Sequence, residues 1–270
     1  MYARLALTSI LLKELIALLA AERKLKIIEY VKHKETASVA ELSSTFQVHE
    51  ATIRRDLNEI EKEGKLRRTH GGVVLVEDVS SEPTFTIRAS ERIDEKQRIA
   101  KQAASMVDEG DNIILDSGTT TYQIAQELTN KVNITIVTND INIAAEFKAC
   151  ASIKVIVTGG ILFPDSYILN GVYTDSVLNN LYVSKAFVAI PAFHPKRGLT
   201  HFDEQLISAK KSMIEAAEET IVVTDHTKLG GVSLHTVSPI DRINKLITGK
   251  EASEAQIQQF RDAGLTVYTV

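Results

Sequence analysis

The sequence predicts an α/β protein built from two unlike parts. The charge distribution is the first sign: residues 1–75 hold 13 Lys and Arg against 10 Asp and Glu, whereas the remainder holds 18 against 25. The periodicity is the second sign, because helical patterns before residue 76 give way to Val- and Ile-rich runs that alternate with helical stretches. Such alternation indicates βαβ units and a mainly parallel sheet. We therefore expect a small N-terminal domain followed by a larger α/β domain.

The composition excludes several classes of protein. Of the 270 residues, 44% are hydrophobic and 24% are charged, which is usual for a globular chain and unlike a disordered or collagen-like one. A net charge of −4 argues against a protein that coats nucleic acid with its whole surface, but a basic domain within an acidic chain remains compatible. The single Cys150 excludes a disulfide framework and a Cys-rich zinc site, and the His residues are scattered. We expect a cytoplasmic protein without metal or cofactor.

Residues 1–21 form a separate segment in this interpretation. Lys13 and Glu14 interrupt the apolar run, so it is too short for a transmembrane helix. One helical face carries the apolar side chains of Leu11, Leu12, Leu15, Ile16, Leu18 and Leu19. The pattern indicates a packing or dimerisation helix, or a start codon assigned too far upstream. Membrane attachment is a weaker alternative because the polar face carries little positive charge, and no membrane partner is expected.

Two short helices are predicted next. Ser38 and Glu41 form a capping box that starts the first helix. The second helix runs from about Glu50 to Glu63 and has the apolar stripe Ile53, Leu57 and Ile60. Two such helices joined by a short turn can be a plain hairpin or a DNA-binding helix-turn-helix.

The outward face of the second helix favours DNA binding. Ala51, Arg55, Asn58 and Lys62 face away from the apolar stripe, and Thr52 and Arg54 flank them. A small, basic face near a helix start suits the major groove, although a solvated charged face is the alternative. Residues 65–73 then follow as a basic strand, a Gly-Gly turn and a strand. This pattern predicts a wing that places Arg67, Arg68 and His70 beside a DNA backbone.

These motifs resemble those of the DeoR-type bacterial transcriptional regulators. The matching elements are Val39-Ala40-Glu41-Leu42, Phe46, Ala51-Thr52-Ile53-Arg54-Arg55-Asp56-Leu57, Glu61, Gly64 and Arg68-Thr69-His70-Gly71-Gly72. The resemblance implies a winged helix-turn-helix. The residues predicted for its DNA-binding surface are Ser38, His49, Glu50, Ala51, Thr52, Arg54, Arg55, Asn58, Arg67, Arg68 and His70. His49 departs from the family, which usually has Ser there, and His is a weaker helix cap.

A glycine turn with several hydroxyls follows the predicted strand Asn112–Leu115. The turn, Asp116-Ser117-Gly118-Thr119-Thr120-Thr121, opens a helix and offers amides, hydroxyls and the positive end of the helix dipole to an anion. An ordinary capped loop is the alternative, since the turn is neither a Walker loop nor a GxGxxG motif. Loops at 138–140, 158–160 and 224–228 follow comparable strands. Ligands of open α/β sheets bind at such carboxyl ends, which favours a site here.

The family resemblance covers about residues 22–250 and extends to these loops. The family's sensor domain is similar in fold to ribose-5-phosphate isomerase and the CoA-transferases, which implies a phosphorylated sugar or related effector. The residues assigned to the effector are Asp116, Ser117, Gly118, Thr119, Thr120, Asn139, Gly159, Gly160, Lys210, Asp225 and Lys228. The segment Pro191-Ala192-Phe193-His194-Pro195 departs from the Gly-rich turn of many members, which puts the ligand in question.

The predicted boundaries are 1–21 for the extra segment, 22–76 for the DNA-binding domain, 77–93 for a linker and 94–270 for the sensor.

Three functions stay open: a regulator with a sugar-phosphate sensor, a sugar-phosphate isomerase-like enzyme, and a DNA-binding protein whose C-terminal domain only oligomerises. The isomerase pattern has acids after the strand at Ala186–Ile190, where this chain has Pro191; Asp203 and Asp225 remain candidate bases. We expect a non-enzymatic repressor of sugar or related metabolite catabolism genes that binds operator DNA as a homo-oligomer, a dimer or tetramer.

Overall fold

The computed structural model describes residues 20–31, 34, 36–62, 66–69, 71–75, 85–163 and 166–270. The chain divides into two compact units, Met1–Asp78 and Val79–Val270. The amphipathic segment predicted for residues 1–21 lies almost wholly outside the described residues. Among the helices that the structure describes, none is long and apolar enough to cross a membrane.

The N-terminal unit is a winged helix-turn-helix. Its helices are α1 (residues 20–31), α2 (Val39–Phe46) and α3 (Glu50–Lys62). Its strands β1 (Thr36–Ser38), β2 (Leu66–Arg68) and β3 (Gly72–Leu75) form an antiparallel sheet in the order β1-β3-β2. The core includes Ile27, Leu42, Ile53, Leu57, Ile60 and Leu66. This arrangement confirms the predicted helices, turn and wing.

Local chemistry explains where these elements begin and end. The Ser38 side chain accepts a hydrogen bond from the Glu41 amide, and the Glu41 side chain accepts one from the Ser38 amide, so the predicted capping box is present. Gln47 ends α2 in the left-handed conformation, with φ 53°. Gly72 is required where β3 meets β1, because a Cβ there would lie 2.1 Å from the Ala37 carbonyl oxygen.

A buried ion pair fixes α1 against α3. Asp56 is 4% exposed, and its carboxylate accepts hydrogen bonds from Arg23 Nε at 2.6 Å and Nη2 at 3.1 Å. Two parallel bonds from a planar guanidinium hold the geometry more firmly than a single contact does. The carboxylate of the Arg-Arg-Asp motif is therefore a scaffold group, whereas the two arginines before it face outward.

The C-terminal unit is built on a parallel sheet with helices on both faces. Seven strands form the sheet: β4 (Asn112–Leu115), β5 (Ile134–Thr138), β6 (Ile153–Val157), β9 (Val183–Val188), β12 (Ala217–Val223), β14 (Lys245–Thr248) and β15 (Thr266–Thr269). They lie in the order β15-β14-β12-β9-β4-β5-β6, and every pairing is parallel. The helices are α4 (Phe85–Ser90), α5 (Ile93–Ala104), α6 (Thr119–Leu128), α7 (Ile141–Glu146), α8 (Val172–Leu178), α9 (Ile207–Glu215) and α10 (Glu254–Asp262). The predicted fold class, α/β with a mainly parallel sheet, is confirmed.

Two smaller sheets flank the main one. The strands β7 (Ile161–Phe163) and β8 (Ile168–Asn170) form a hairpin, and β10 (Ala192–His194), β11 (Gly198–His201) and β13 (His235–Ser238) form an antiparallel sheet. Neighbouring residues of the main strands enter opposite core layers: Ile114 packs in one and Ile113 in the other. This alternation is the period of two that a strand with both faces covered requires.

The structure differs from the sequence prediction between residues 85 and 93. These residues fall within the predicted linker, yet they form α4 and the start of α5. Phe85 explains the difference, because its ring makes edge-on contacts with Tyr122 and Tyr167 at centroid distances of 5.8 Å. A short 3-10 turn, Glu204–Leu206, precedes α9.

Candidate functional site

The recognition helix α3 presents the predicted basic face. Ile53, Leu57 and Ile60 are fully buried, whereas Arg55 is 83% exposed and Arg54 is also exposed. Arg54 pairs with Glu50 at 3.2 Å and Arg55 with Glu59 at 3.6 Å. These exposed pairs exchange readily with water and counterions, so both guanidinium groups are available to a polyanion.

The start of α3 is capped by the unusual histidine. The His49 Nδ1 atom accepts a hydrogen bond from the Ala51 amide at 3.3 Å, and its carbonyl oxygen accepts from the Thr52 and Ile53 amides. The imidazole thus partly replaces the serine hydroxyl of the family. Glu50 is half-buried, and Ala51 is exposed.

The wing residue Arg68 turns back onto α3. Its Nη1 donates to Asn58 Oδ1 at 2.8 Å and to the Arg54 carbonyl oxygen at 3.3 Å, while its backbone amide donates to Glu61 at 2.9 Å. Arg68 and Asn58 are therefore brought together, and Arg68 fastens β2 to the recognition helix. The Arg67 side chain and His70 lie outside the described residues. Ser38 is exposed, with its hydroxyl engaged in the cap of α2.

In the C-terminal unit, a cleft opens at the carboxyl ends of three adjacent central strands. The turn after β4, the residues after β9 and the loop after β12 all reach it. Among the predicted effector residues, those lining the cleft are Ser117, Gly118, Thr119, Thr120, Lys210, Asp225 and Lys228. Gly118 is required because a Cβ there would lie 2.8 Å from the Ala189 Cβ. The first turn of α6 leaves backbone amides without partners inside the helix, which suits an anion.

Asp116 and Lys210 form a buried ion pair beneath the cleft. Lys210 Nζ donates to Asp116 Oδ2 at 2.5 Å and to the Ala189 carbonyl oxygen at 2.9 Å, and the Ala189 amide also donates to Asp116. Burial raises the pKa of the Asp116 carboxyl, and the Lys210 charge opposes that rise. Lys210 is 4% exposed, so its ammonium group is shielded from water and its charge is balanced by Asp116. Its third N–H group is left for a ligand.

Three further cations reach the cleft from α4 and the start of α5. Arg88, Arg92 and Lys96 line it together with Lys228, which lies in the short turn His226–Lys228 after β12. Burial lowers the pKa of the Lys96 ammonium to about 8, while the nearby Asp225 raises it. Arg88 and Arg92 fall within the predicted linker 77–93, and Lys96, at the start of the predicted sensor, has no predicted role. The recurrence of a cation at every fourth residue is the available sequence signal, although Arg88 lies on α4, Lys96 lies on α5 and Arg92, with φ 51°, lies between the two helices.

His201 adds a neutral donor to the cleft. Burial and the neighbouring Lys210 lower the pKa of its imidazole to about 3. Its Nδ1 accepts a hydrogen bond from the Asp203 amide at 2.9 Å, so the ring proton lies on Nε2. The imidazole is therefore a hydrogen-bond donor at neutral pH.

Besides Asp116, three predicted effector residues lie outside the cleft lining. Asn139 donates to the Leu169 carbonyl oxygen and accepts from the Leu169 amide, which holds β8 in place. Gly159 accepts from the Thr174 hydroxyl at 2.7 Å. Gly160, with φ 125°, lies against Asn170, where a Cβ would be 2.7 Å from the carbonyl oxygen. These residues shape the hairpin and α8.

The loop after β12 is held by carboxylates. Asp225 accepts a hydrogen bond from the Thr227 amide at 3.0 Å, and Glu95 accepts from the His226 amide at 2.8 Å and lies 2.9 Å from its Nδ1. Among the described residues, Glu95, His226 and Glu251 are the one cluster whose atoms lie close enough to hold a metal ion. Glu251 already pairs with Arg98 at 2.5 Å. The cluster positions the loop that carries Lys228.

The candidate isomerase bases have structural partners. Asp203 accepts from the Gln205 amide and caps the turn before α9, as Asp225 caps its own turn. The segment that replaces the Gly-rich turn after β9 forms a strand. Pro191 lines the cleft, and Ala192–His194 is β10. Phe193 packs on Phe260 with ring centroids 4.7 Å apart.

A winged helix-turn-helix joined to an α/β unit with a polar, cation-lined cleft defines a class of DNA-binding regulators with a small-molecule sensor. Family models agree: the DeoR-like helix-turn-helix domain matches residues 23–79, and the DeoR C-terminal sensor domain matches residues 91–250. The chain belongs to the DeoR family of transcriptional regulators.

Similar proteins carry regulator names. An uncharacterized HTH-type transcriptional regulator, YulB of Bacillus subtilis, is 36% identical over 94% of this chain and 98% of its own length. The HTH-type transcriptional regulator GolR of Listeria innocua is 33% identical over 91% and 97%, and a putative aga operon transcriptional repressor of Escherichia coli O157:H7 is 30% identical over 93% and 94%. A solved ribose 5-phosphate isomerase A from Methanocaldococcus jannaschii has 18% identity and a TM-score of 0.39, over 51% of this chain and 55% of that one. The relatives are regulators, as the non-enzyme prediction expects.

Proposed function

We propose that this regulator represses genes of sugar or related metabolite catabolism, and that a phosphorylated sugar bound in the cleft changes its affinity for operator DNA. The observation that carries the proposal is the convergence of Arg88, Arg92, Lys96 and Lys228 on the turn Ser117–Thr120. Cations, hydroxyls and the amides of a helix start are the groups that bind phosphate best. The name of the aga operon repressor supports repression as the direction of control.

The cleft offers separate groups to the two ends of such a ligand. Lys228 and the first turn of α6 suit the phosphate, while the His201 ring, the third Lys210 proton and Asp225 suit sugar hydroxyls. Asp225 accepts and His201 donates, so hydroxyls can bond in both roles. Ile190 and Pro191 add apolar surface to the cleft, against which the carbon face of a sugar can pack.

Binding calorimetry on the full chain tests this proposal. Sugar phosphates and their unphosphorylated parents are titrated into the wild type, Lys228→Ala and Lys211→Ala. Lys211 is the control because it is exposed beside the buried Lys210. Loss of a charged hydrogen bond to phosphate predicts a loss of about 1.5–3 kcal/mol for Lys228→Ala with the phosphorylated ligand, and little change with the parent. Absence of binding by every sugar phosphate would instead favour a C-terminal unit that only oligomerises.

We also propose a homo-oligomer of at least two chains. A single winged unit reads one half-site, and operators of such units are paired half-sites that match a two-fold axis of the protein. Light scattering on the full chain and on a chain that starts at Glu22 measures the mass directly. A monomer at micromolar concentration in both would contradict this expectation.

A further inference from the structure

The side chain of Asn58 has a fixed orientation on the recognition helix. Asn58 is exposed on α3, on the face opposite the apolar stripe, and its Oδ1 accepts a hydrogen bond from Arg68 Nη1 at 2.8 Å. A guanidinium group has donors and no acceptor, so the atom that faces it must be the amide oxygen. Arg68 therefore takes one lone pair of the Asn58 oxygen and leaves the NH2 group for a ligand.

Arg68 is itself held in place. Its Nη1 also donates to the Arg54 carbonyl oxygen, and its backbone amide donates to Glu61. These three contacts tie the side chain and backbone of one wing residue to three positions along α3. The backbone bond places β2 beside α3, and the Arg54 carbonyl oxygen holds the Arg68 guanidinium at the Asn58 oxygen.

We propose that Arg68 makes Asn58 a reader of guanine instead of adenine. A free asparagine reads adenine with two bonds, accepting from N6 and donating to N7, and this pairing needs its oxygen. Guanine presents two acceptors, N7 and O6, in the major groove. The NH2 group of such an asparagine matches guanine, whereas the Arg68 guanidinium occupies one of the two lone pairs of Oδ1 and its positive charge disfavours the approach of the adenine N6 amino group to the other. This inference rests on the placement of α3 in the major groove.

The experiment selects preferred sites from a pool of random-sequence duplexes with the full chain. We compare the wild type with Asn58→Asp, Arg68→Met and Arg68→Lys, and we measure the affinity ratio between guanine and adenine at each position. In the wild type, one position of each half-site should prefer guanine about tenfold. Asn58→Asp keeps an acceptor for Arg68 but has no donor, so this preference should fall to about one. The ratio is unaffected by the general repulsion that a new carboxylate causes.

The arginine variants separate specificity from support. Arg68→Met frees the amide oxygen, so the same position should turn to adenine, whereas Arg68→Lys retains a donor and should keep guanine. A uniform loss over all sequences in Arg68→Met, or an adenine preference in the wild type, would overturn the proposal. Thermal unfolding checks that each variant is folded. If Arg68→Met is not folded, the result for Asn58→Asp tests the proposal by itself.

A wrong placement of α3 in the major groove and a wrong inference about Asn58 would give different results. If α3 does not enter the groove, Arg55→Ala should also leave every base preference unchanged. If only the Asn58 inference is wrong, Arg55→Ala still relaxes the preference at its own position while Asn58→Asp changes none.

Discussion

The two units hold their positive charges in opposite ways. In the winged unit, Arg54 and Arg55 are exposed and make only surface pairs with glutamates. In the sensor, Lys96 and Lys210 are both 4% exposed and have partners within the fold. A side-chain charge in water carries no desolvation cost and suits a long polyanion that is bound and released. A buried charge carries a desolvation cost that a partner charge must offset, but its position is fixed, which suits a small ligand. Substitution of the exposed arginines of α3 should therefore damage binding, whereas removal of the partner of a buried lysine in the sensor should damage folding.

The largest expected effect is loss of the buried pair. Asp116→Ala leaves the Lys210 ammonium buried without its carboxylate, which should lower the free energy of unfolding of the sensor by about 3–5 kcal/mol. Denaturant unfolding followed by circular dichroism measures this. The control is Glu254→Gln, which breaks the exposed pair with Arg261 and should cost less than about 1 kcal/mol. Equal effects of the two substitutions would remove the contrast between buried and exposed ion pairs.

The next effect falls on DNA binding without a loss of stability. Arg55→Ala should weaken binding to a selected operator by about 1–3 kcal/mol and relax its base preference, as loss of a base contact does. Gel-shift titrations at several salt concentrations measure affinity and salt dependence together. Arg261→Ala, in the sensor unit, is the control and should leave binding unchanged. Unaltered affinity in a folded Arg55→Ala protein would contradict the groove assignment.

Matched helix caps compare the units at a smaller scale. Ser38 caps α2 and Ser253 caps α10, and both are capping boxes. Replacement of either serine with alanine should cost about 1 kcal/mol of the free energy of unfolding of its own unit. Only Ser38→Ala should also weaken operator binding, because α2 supports α3. Thermal unfolding and gel shifts on both variants test this. Weaker DNA binding by Ser253→Ala would contradict the expectation that only the cap of α2 affects operator binding.

The smallest expected effect is a dependence of ligand binding on pH. The pKa of Lys96 is lowered to about 8, so its positive charge is lost as the pH rises past that value. Affinity for a sugar phosphate should therefore fall severalfold between pH 7 and 9, a range in which the phosphate keeps its charge because its second pKa is about 6. Lys96→Gln should bind more weakly at pH 7 and lose this dependence. Calorimetry at three pH values decides, and an unchanged slope in the variant would assign the titration to another group.

Patterns within short stretches of sequence predicted most of the fold. The capping box at Ser38, the stripe Ile53–Leu57–Ile60 and the alternation of strands and helices depend on neighbours a few residues apart. The Asp116–Lys210 pair could not be predicted this way, because 94 residues separate its members. Arg88 and Arg92 fall within the predicted linker, because the contacts of the Phe85 ring with Tyr122 and Tyr167 join residues far apart in the sequence.

The candidate sites show the same limit. The turn at Gly118 was predicted because its glycine and hydroxyls are consecutive, and the structure places it in the cleft. Asn139 and Gly160 follow similar strands, yet their polar groups and backbone are used to hold the β7–β8 hairpin. A strand end offers the same residue types whether it meets a ligand or another loop, so sequence alone does not separate the two cases.

The central claim is that the cleft and the recognition helix are coupled. The direct test measures operator affinity of the full chain with and without a sugar phosphate that binds by calorimetry, and ligand affinity with and without operator DNA. Binding linkage requires the two factors to be equal, and a coupling of 1–3 kcal/mol makes each about 5- to 150-fold. We expect the ligand to weaken operator binding by such a factor in the wild type and to have little effect on Lys228→Ala at the same concentration. A sugar phosphate that binds the cleft and leaves operator affinity unchanged would contradict the account.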